Sequence, residues 1–158
     1  LKPSMVTPGK ESPKASPEAV ATGTLDVFRR AVPAAVPGIF FLSGGQTPEE
    51  ATLNLNAMNS MGAQPWELSF SYGRALQEPA QKAWAGNLDN GPEAQAAMLK
   101  RARLNGAARA GHYRPEMEDG PATALRARVP LVAAGDAARH AIERHGAATE
   151  GHMNRHCH

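Results

Sequence analysis

The stretch VPGIFFLSGGQTPEE, residues 36–50, decides the fold, because it holds a strand, a tight loop and a helix start in succession. Ile39, Phe40, Phe41 and Leu42 form a short apolar run rich in strand formers, ended by two glycines, which predicts a buried strand running into a tight turn. Directly behind it, Thr47, Pro48, Glu49 and Glu50 make a capping box with proline in the first turn. The helix it starts runs on through Leu53 and Met58.

Working outward, the same grammar repeats on both sides. Upstream, SPEAVATGTLDVFRRAV has Ser16 as cap, Pro17 at the first helical position, and Val20, Leu25, Phe28 and Val32 at roughly helical spacing before Pro33 stops it. Downstream, in WELSFSYGRAL, Trp66, Leu68 and Phe70 alternate with Glu67, Ser69 and Ser71, the period of a strand, and Gly73 breaks it so that Arg74 opens another helix. PEAQAAMLKRARLNGAARA, residues 92–110, is built of good helix formers. With LKPSMV as the first strand, confined to an end or an edge by Pro3, the order is strand, helix, strand, helix, strand, helix.

Such alternation with short connections is the mark of βα units in a parallel sheet. A doubly wound sheet and a closed eightfold barrel both fit it. Three strands complete neither, since a parallel sheet needs both faces covered and a barrel needs about eight strands and typically about 250 residues.

At 158 residues and 42% apolar the chain can build a core. A formal charge of +2 with dispersed basic residues lacks the footprint of a nucleic-acid binder, and no apolar run approaches a membrane span. The one cysteine, Cys157, has no internal partner for a disulfide. No lysine follows Lys100 and all six histidines lie at or after His112, so residues 112–158 are expected to form a low-order tail, with residues 1–111 as the α/β part. Within that tail a short helix over Gly135 to His145 is weakly patterned.

Four places hold residues that could do chemistry. Lys2, at the start of a strand, becomes a nucleophile if desolvation or neighbouring cations depress its pKa; on position alone it reads as a surface lysine on a frayed terminus. Ser43, Gly44 and Gly45 offer a hydroxyl and backbone N–H groups to an anion, ahead of a capped helix; two glycines alone read rather as an ordinary strand-to-helix turn. Arg74 presents a planar fork to phosphate oxygens, with Ser71 and the Gly73 N–H as further donors; without an anion its place at the positive end of a helix is slightly unfavourable. HMNRHCH, residues 152–158, sets His152 and His156 on one helix face beside Cys157 and His158, but without an acidic residue or any imposed geometry it reads as a biased tail, and no metal site is assigned.

Taken together, LKPSMVTPG, AVPGIFFLSGGQTPEEATLNLNAMN, PWELSFSYGRALQ and the weaker KAWAG and EAQAAMLKRARLN resemble, in order and separation, the C-terminal part of class I fructose-bisphosphate aldolase, from Leu1 to about Tyr113. The resemblance implies the sixth to eighth strands of a (β/α)8 TIM barrel. It implies that Lys2 matches the family's Schiff-base lysine, and that Ser43, Gly44, Gly45, Ser71, Gly73 and Arg74 match its phosphate-binding positions. It further implies reversible cleavage of fructose 1,6-bisphosphate to dihydroxyacetone phosphate and glyceraldehyde 3-phosphate, no cofactor, a sugar-phosphate partner rather than nucleic acid or membrane, and a homotetramer for the intact enzyme.

The family's acid/base glutamate, aspartate and further lysines come from earlier strands and match nothing here, and no tyrosine follows Tyr113 where the family ends in one. The chain is therefore expected to have been cut one residue before its nucleophile, with a glutamate-glycine pair and five βα units encoded upstream. A non-catalytic remnant that binds sugar phosphates or protein partners is the second reading. Ser4 and the VPGIFFLSGG wording resemble plastid forms of plants and algae, implying the chloroplast stroma and the Calvin cycle, with the cytoplasm and glycolysis as the alternative. Open strand edges at LKPSMV and WELSFSY predict that the isolated chain aggregates.

Overall fold

Residues 1–120 are described in the computed structural model of the chain. Helix α1 spans Pro17–Ala31; the Ser16 side chain accepts the Ala19 N–H, and the helix closes at Val32, whose N–H reaches Phe28 O at 2.8 Å. Val20, Ala21, Thr24, Leu25 and Phe28 form its buried stripe. Strand β1 spans Gly38–Phe41, and α2 spans Pro48–Ser60 with the predicted capping box in place: Thr47 Oγ1 accepts the Glu50 N–H and Glu50 Oε2 accepts the Thr47 N–H. Strand β2 spans Glu67–Phe70, α3 spans Arg74–Trp84, a 3-10 turn covers Leu88–Asn90, and α4 spans Gly91–Arg109.

The two strands pair in parallel, Gly38 with Glu67 through Phe41 with Phe70. On the other side of β1 the segment 1–4 runs parallel too, with Phe40 N–H donating to Leu1 O and Leu42 N–H to Pro3 O, both at 2.8 Å, but it closes only a single bridge, Ser4 with Leu42. Pro3 explains the difference from a full strand. A Lys2–Phe40 pair would need an N–H from position 3, which proline lacks.

Each strand is added on the same side of the one before it, and the helices that connect them bury one face of the sheet. Ile39, Phe41, Leu68 and Tyr72 lie on that face with Leu25, Leu55, Met58 and Leu104 in a single core. Phe28 stacks on Phe41 at 5.7 Å and meets Trp66 edge-on at 6.4 Å, and the Trp66 indole N–H is satisfied by Pro33 O at 2.9 Å. On the opposite face Phe40 is 46% and Leu42 37% exposed. A doubly wound sheet puts helices on both faces; this one-sided winding is that of a barrel wall.

Two expectations change. The alternation over 66–71 is incomplete, because Ser69, small and on the bare face, is buried beside Leu68. The described structure also runs past residue 111, where composition drew the boundary. Tyr113 is buried, its N–H donates to Asn56 Oδ1 at 2.8 Å, and a 3-10 turn follows at Pro115–Glu118. The helix over Gly135 to His145 and the HMNRHCH cluster lie outside the described residues. No described helix is long and apolar enough to cross a membrane.

Candidate functional site

The loop after β1 folds as its glycines require. Gly44 and Gly45 both take positive φ, +60° and +86°, a conformation that costs an L-residue with a side chain roughly 1–2 kcal/mol. Ser43 is buried, and its carbonyl is filled twice by Gln46, from the backbone N–H at 3.0 Å and from Nε2 at 2.8 Å. Among the described residues neither the Gly44 nor the Gly45 N–H donates a hydrogen bond. Behind the loop, Glu50 accepts from Lys14 as well as from Thr47 N–H, and these bonds, Lys14 first, hold its carboxyl below the usual carboxylate range.

The loop after β2 lies beside it, because Ser71 N–H continues the ladder to Phe41 O at 2.8 Å. Tyr72 turns to the core and donates to Ala51 O at 2.8 Å; burial pushes its hydroxyl pKa well up. Gly73 caps α3 without a side chain, and Arg74 is exposed, with no hydrogen bond or ion pair among the described residues. A free arginine at the positive end of a helix, next to uncapped N–H groups, is an arrangement an anion would stabilise.

Lys2 is exposed, and its Nζ has no hydrogen bond or ion pair among the described residues. The register puts Lys2, Phe40 and Ser69 in one row of the uncovered face, and Ser4, Leu42 and Ser71 in the next. A Cβ placed on Gly44 would stand 3.6 Å from Ser4 Oγ, so the first segment ends against the glycine loop. The register thus sets Lys2 on the uncovered face, one row before Ser4, Leu42 and Ser71, after which the two loops begin. It draws no direct hydrogen bond between Lys2, Ser43, Ser71 and Arg74. No described group of His, Cys, Asp and Glu could hold a metal ion.

A polar cluster went unread in the sequence. Arg101 is 3% exposed, and it donates to Glu118 Oε1 at 2.6 Å, to Pro48 O at 2.8 Å and to Thr52 Oγ1, with Glu49 at 3.8 Å. Tyr113 hydroxyl donates to the same Glu118 oxygen at 2.9 Å, and Asn105 Oδ1 accepts from Thr52 Oγ1. Burial, then the bond to Glu118, raises the Tyr113 pKa. The signal was the spacing: Arg101 and Asn105 occupy the same α4 stripe as Leu104 and Ala108, so a charge sits where the helix faces the core.

A parallel sheet with helices on one face among the described residues, and with glycine- and arginine-bearing loops after its strands, is of the β/α-barrel class. The family model described as "Glycolytic: Fructose-bisphosphate aldolase class-I" matches residues 1–127, and the chain belongs to that family. It is 58% identical over 114 residues to fructose-bisphosphate aldolase 5, cytosolic, of Arabidopsis thaliana, covering 72% of this chain and 32% of that protein. It is 54% identical over 126 residues to fructose-bisphosphate aldolase C of Macaca fascicularis, covering 78% and 35%.

Among solved structures, fructose-bisphosphate aldolase from Plasmodium falciparum, in complex with TRAP and a small-molecule inhibitor, superposes with a TM-score of 0.70 at 47% identity. That match covers 72% of this chain and 33% of that one. The chain therefore spans about a third of the length of the curated relatives it matches. The family match also extends beyond Tyr113, where the motifs thin out.

Proposed function

We propose that the chain carries the Schiff-base lysine and the phosphate-holding loops of a class I fructose-bisphosphate aldolase, as the sixth to eighth strands of its (β/α)8 barrel. Lys2 would attack the ketose carbonyl and lose water to form an iminium, which accepts the electron pair as the C3–C4 bond breaks. Ser43, Gly44, Gly45, Ser71, Gly73 and Arg74 would hold a substrate phosphate, fixing the carbonyl against the lysine. The observation that carries the reading is one parallel sheet: Lys2 lies on its uncovered face, and its next two strands run into loops whose glycine N–H groups and arginine have no partner among the described residues.

A second reading is a chain that binds sugar phosphates or protein partners without turning substrate over. It is favoured by the lack of any acid/base group paired with Lys2 among the described residues. The Plasmodium relative, solved in complex with TRAP, is a precedent for a protein partner. For the intact enzyme we favour a homotetramer. Relatives named cytosolic or cytoplasmic weigh toward the cytoplasm and glycolysis over the plastid and the Calvin cycle.

Borohydride reduction in the presence of dihydroxyacetone phosphate, with the adduct located by mass spectrometry, tests the lysine in a complete barrel that contains this chain. An adduct on Lys2 is expected there, and its absence sinks the assignment. For this 158-residue chain alone no turnover is expected; cleavage by it would refute the view that the acid/base groups come from elsewhere.

A further inference from the structure

The Gln46 side chain is engaged on three sides, although the proposed mechanism gives it no part. Its Nε2 donates to Ser43 O at 2.8 Å and lies 3.6 Å from Met5 Sδ, while its Oε1 accepts from Asn54 Nδ2 at 2.6 Å. It thus ties the segment after the first strand, the glycine loop and the first turns of α2 to one another. Asn54 is itself buried, so the far end of the tie is anchored in α2.

The geometry of one peptide unit turns this tie into a functional device. The Ser43–Gly44 peptide is trans, so the Ser43 carbonyl and the Gly44 N–H point in opposite directions. Gln46 fills both lone pairs of that carbonyl, from its backbone and from its side chain. With the carbonyl held by Gln46, the Gly44 N–H points away from Gln46. The next backbone atoms have room for a ligand, since a Cβ on Gly45 would meet nothing within 4 Å. Without the side-chain bond, a pair of glycines at positive φ has low barriers to flipping that peptide and presenting the carbonyl, which repels an anion, in place of the N–H.

We propose that Gln46 is a positioning residue that aims the Gly44 N–H and so sets the affinity of this loop for a phosphate monoester. The inference rests on the reading of Ser43–Gly45 as a phosphate loop. Asn54 acts one step further back by holding Gln46, and its loss has the same effect in smaller measure.

The test is titration of the 15N-labelled 158-residue chain with inorganic phosphate and with dihydroxyacetone phosphate, following the backbone N–H resonances of Gly44 and Gly45. Both shift saturably in the unaltered chain. Gln46→Met keeps the length but removes the donor, and weakens binding about tenfold, the value of one well-placed hydrogen bond. The Tyr113 N–H resonance, in the core, stays in place. Asn54→Ala weakens binding by a few-fold and serves on its own if Gln46→Met does not fold. Arg74→Ala separates the two ideas. If Arg74→Ala weakens binding while Gln46→Met and Asn54→Ala leave it unchanged, the role of Gln46 is refuted and the phosphate loop stands. If no saturable shift occurs in the unaltered chain, the loop reading fails and the inference goes with it.

Discussion

Glu118→Ala tests whether the buried arginine is what fastens the segment after α4. Arg101 is almost wholly enclosed, and Glu118 supplies its nearest full negative charge at 2.6 Å, with Glu49 at 3.8 Å a poor substitute. The guanidinium also donates to Pro48 O and Thr52 Oγ1, and its Nε already lacks a partner. Removing Glu118 deletes one charge-assisted bond to Arg101 and the acceptor of the Tyr113 hydroxyl, each worth about 1–3 kcal/mol. Glu118 remains partly solvated and Glu49 can approach, so the expected cost is about 2–3 kcal/mol rather than the sum.

Arg101→Met in the intact background leaves Glu118 without its charged partner, with only the Tyr113 hydroxyl donating to it, and should cost about 3 kcal/mol. The double substitution should then cost clearly less than the two singles added, because neither charge is left without its partner. Urea unfolding followed by the fluorescence of Trp66, which sits in the core, measures all three. Hydrogen exchange at the Tyr113 N–H, bonded to Asn56 Oδ1, reports whether the 112–120 segment lifts first. Additive losses, or a Glu118→Ala cost below about 0.5 kcal/mol, would show that the segment is held by packing and not by this pair.

Further outcomes follow from single positions. Gly111→Ala should destabilise by about 1–2 kcal/mol or more, since the glycine sits at φ +70° and a Cβ would stand 3.3 Å from Asn59 O; an unchanged urea midpoint refutes it. Lys14→Ala should lower stability at neutral pH. Glu50 is depressed below its unfolded value, so the stability it contributes is present above that value and lost as pH falls through the folded pKa; the variant and the parent should therefore converge in acid. Tyr72 and Tyr113 are both raised, so their contribution is full below about pH 10 and lost as pH rises above it. Tyr72→Phe should cost about 1 kcal/mol at neutral pH and flatten the alkaline loss; an alkaline limb as steep as the parent's counts against it. Finally, the bare face with Phe40 and Leu42 should drive self-association of the 158-residue chain, which Phe40→Ser relieves; sedimentation as a monomer at high concentration contradicts this.

What was legible in the sequence was what is local. Ser16, Thr47 with Glu50, the glycines after β1 and the stop at Pro33 each act within a few residues of themselves, and each appears where its chemistry placed it. The covered and bare faces of β1 were not legible, because IFFL is apolar at every position and periodicity cannot choose a side. Only the packing of α1 and α2 distinguishes Ile39 and Phe41 from Phe40 and Leu42. The order of residues 113–118 was not legible for the same kind of reason. Composition changes at His112, but Tyr113 and Glu118 are held by Asn56 and Arg101, partners many residues earlier in the chain. The candidate site shares this division. The glycine loop and Arg74 are proposed as an anion site from local rules, whereas the contribution of Lys2 depends on which face of the sheet it joins. Pro3 removes one bond of a Lys2–Phe40 pair, and the register of Lys2 rests on the flanking bonds of Leu1 and Pro3 and on the Ser4–Leu42 bridge. The side chain of the nucleophile proposed for this site has no partner among the described residues, and groups packed onto the bare face would have to immobilise it before its chemistry could be selective.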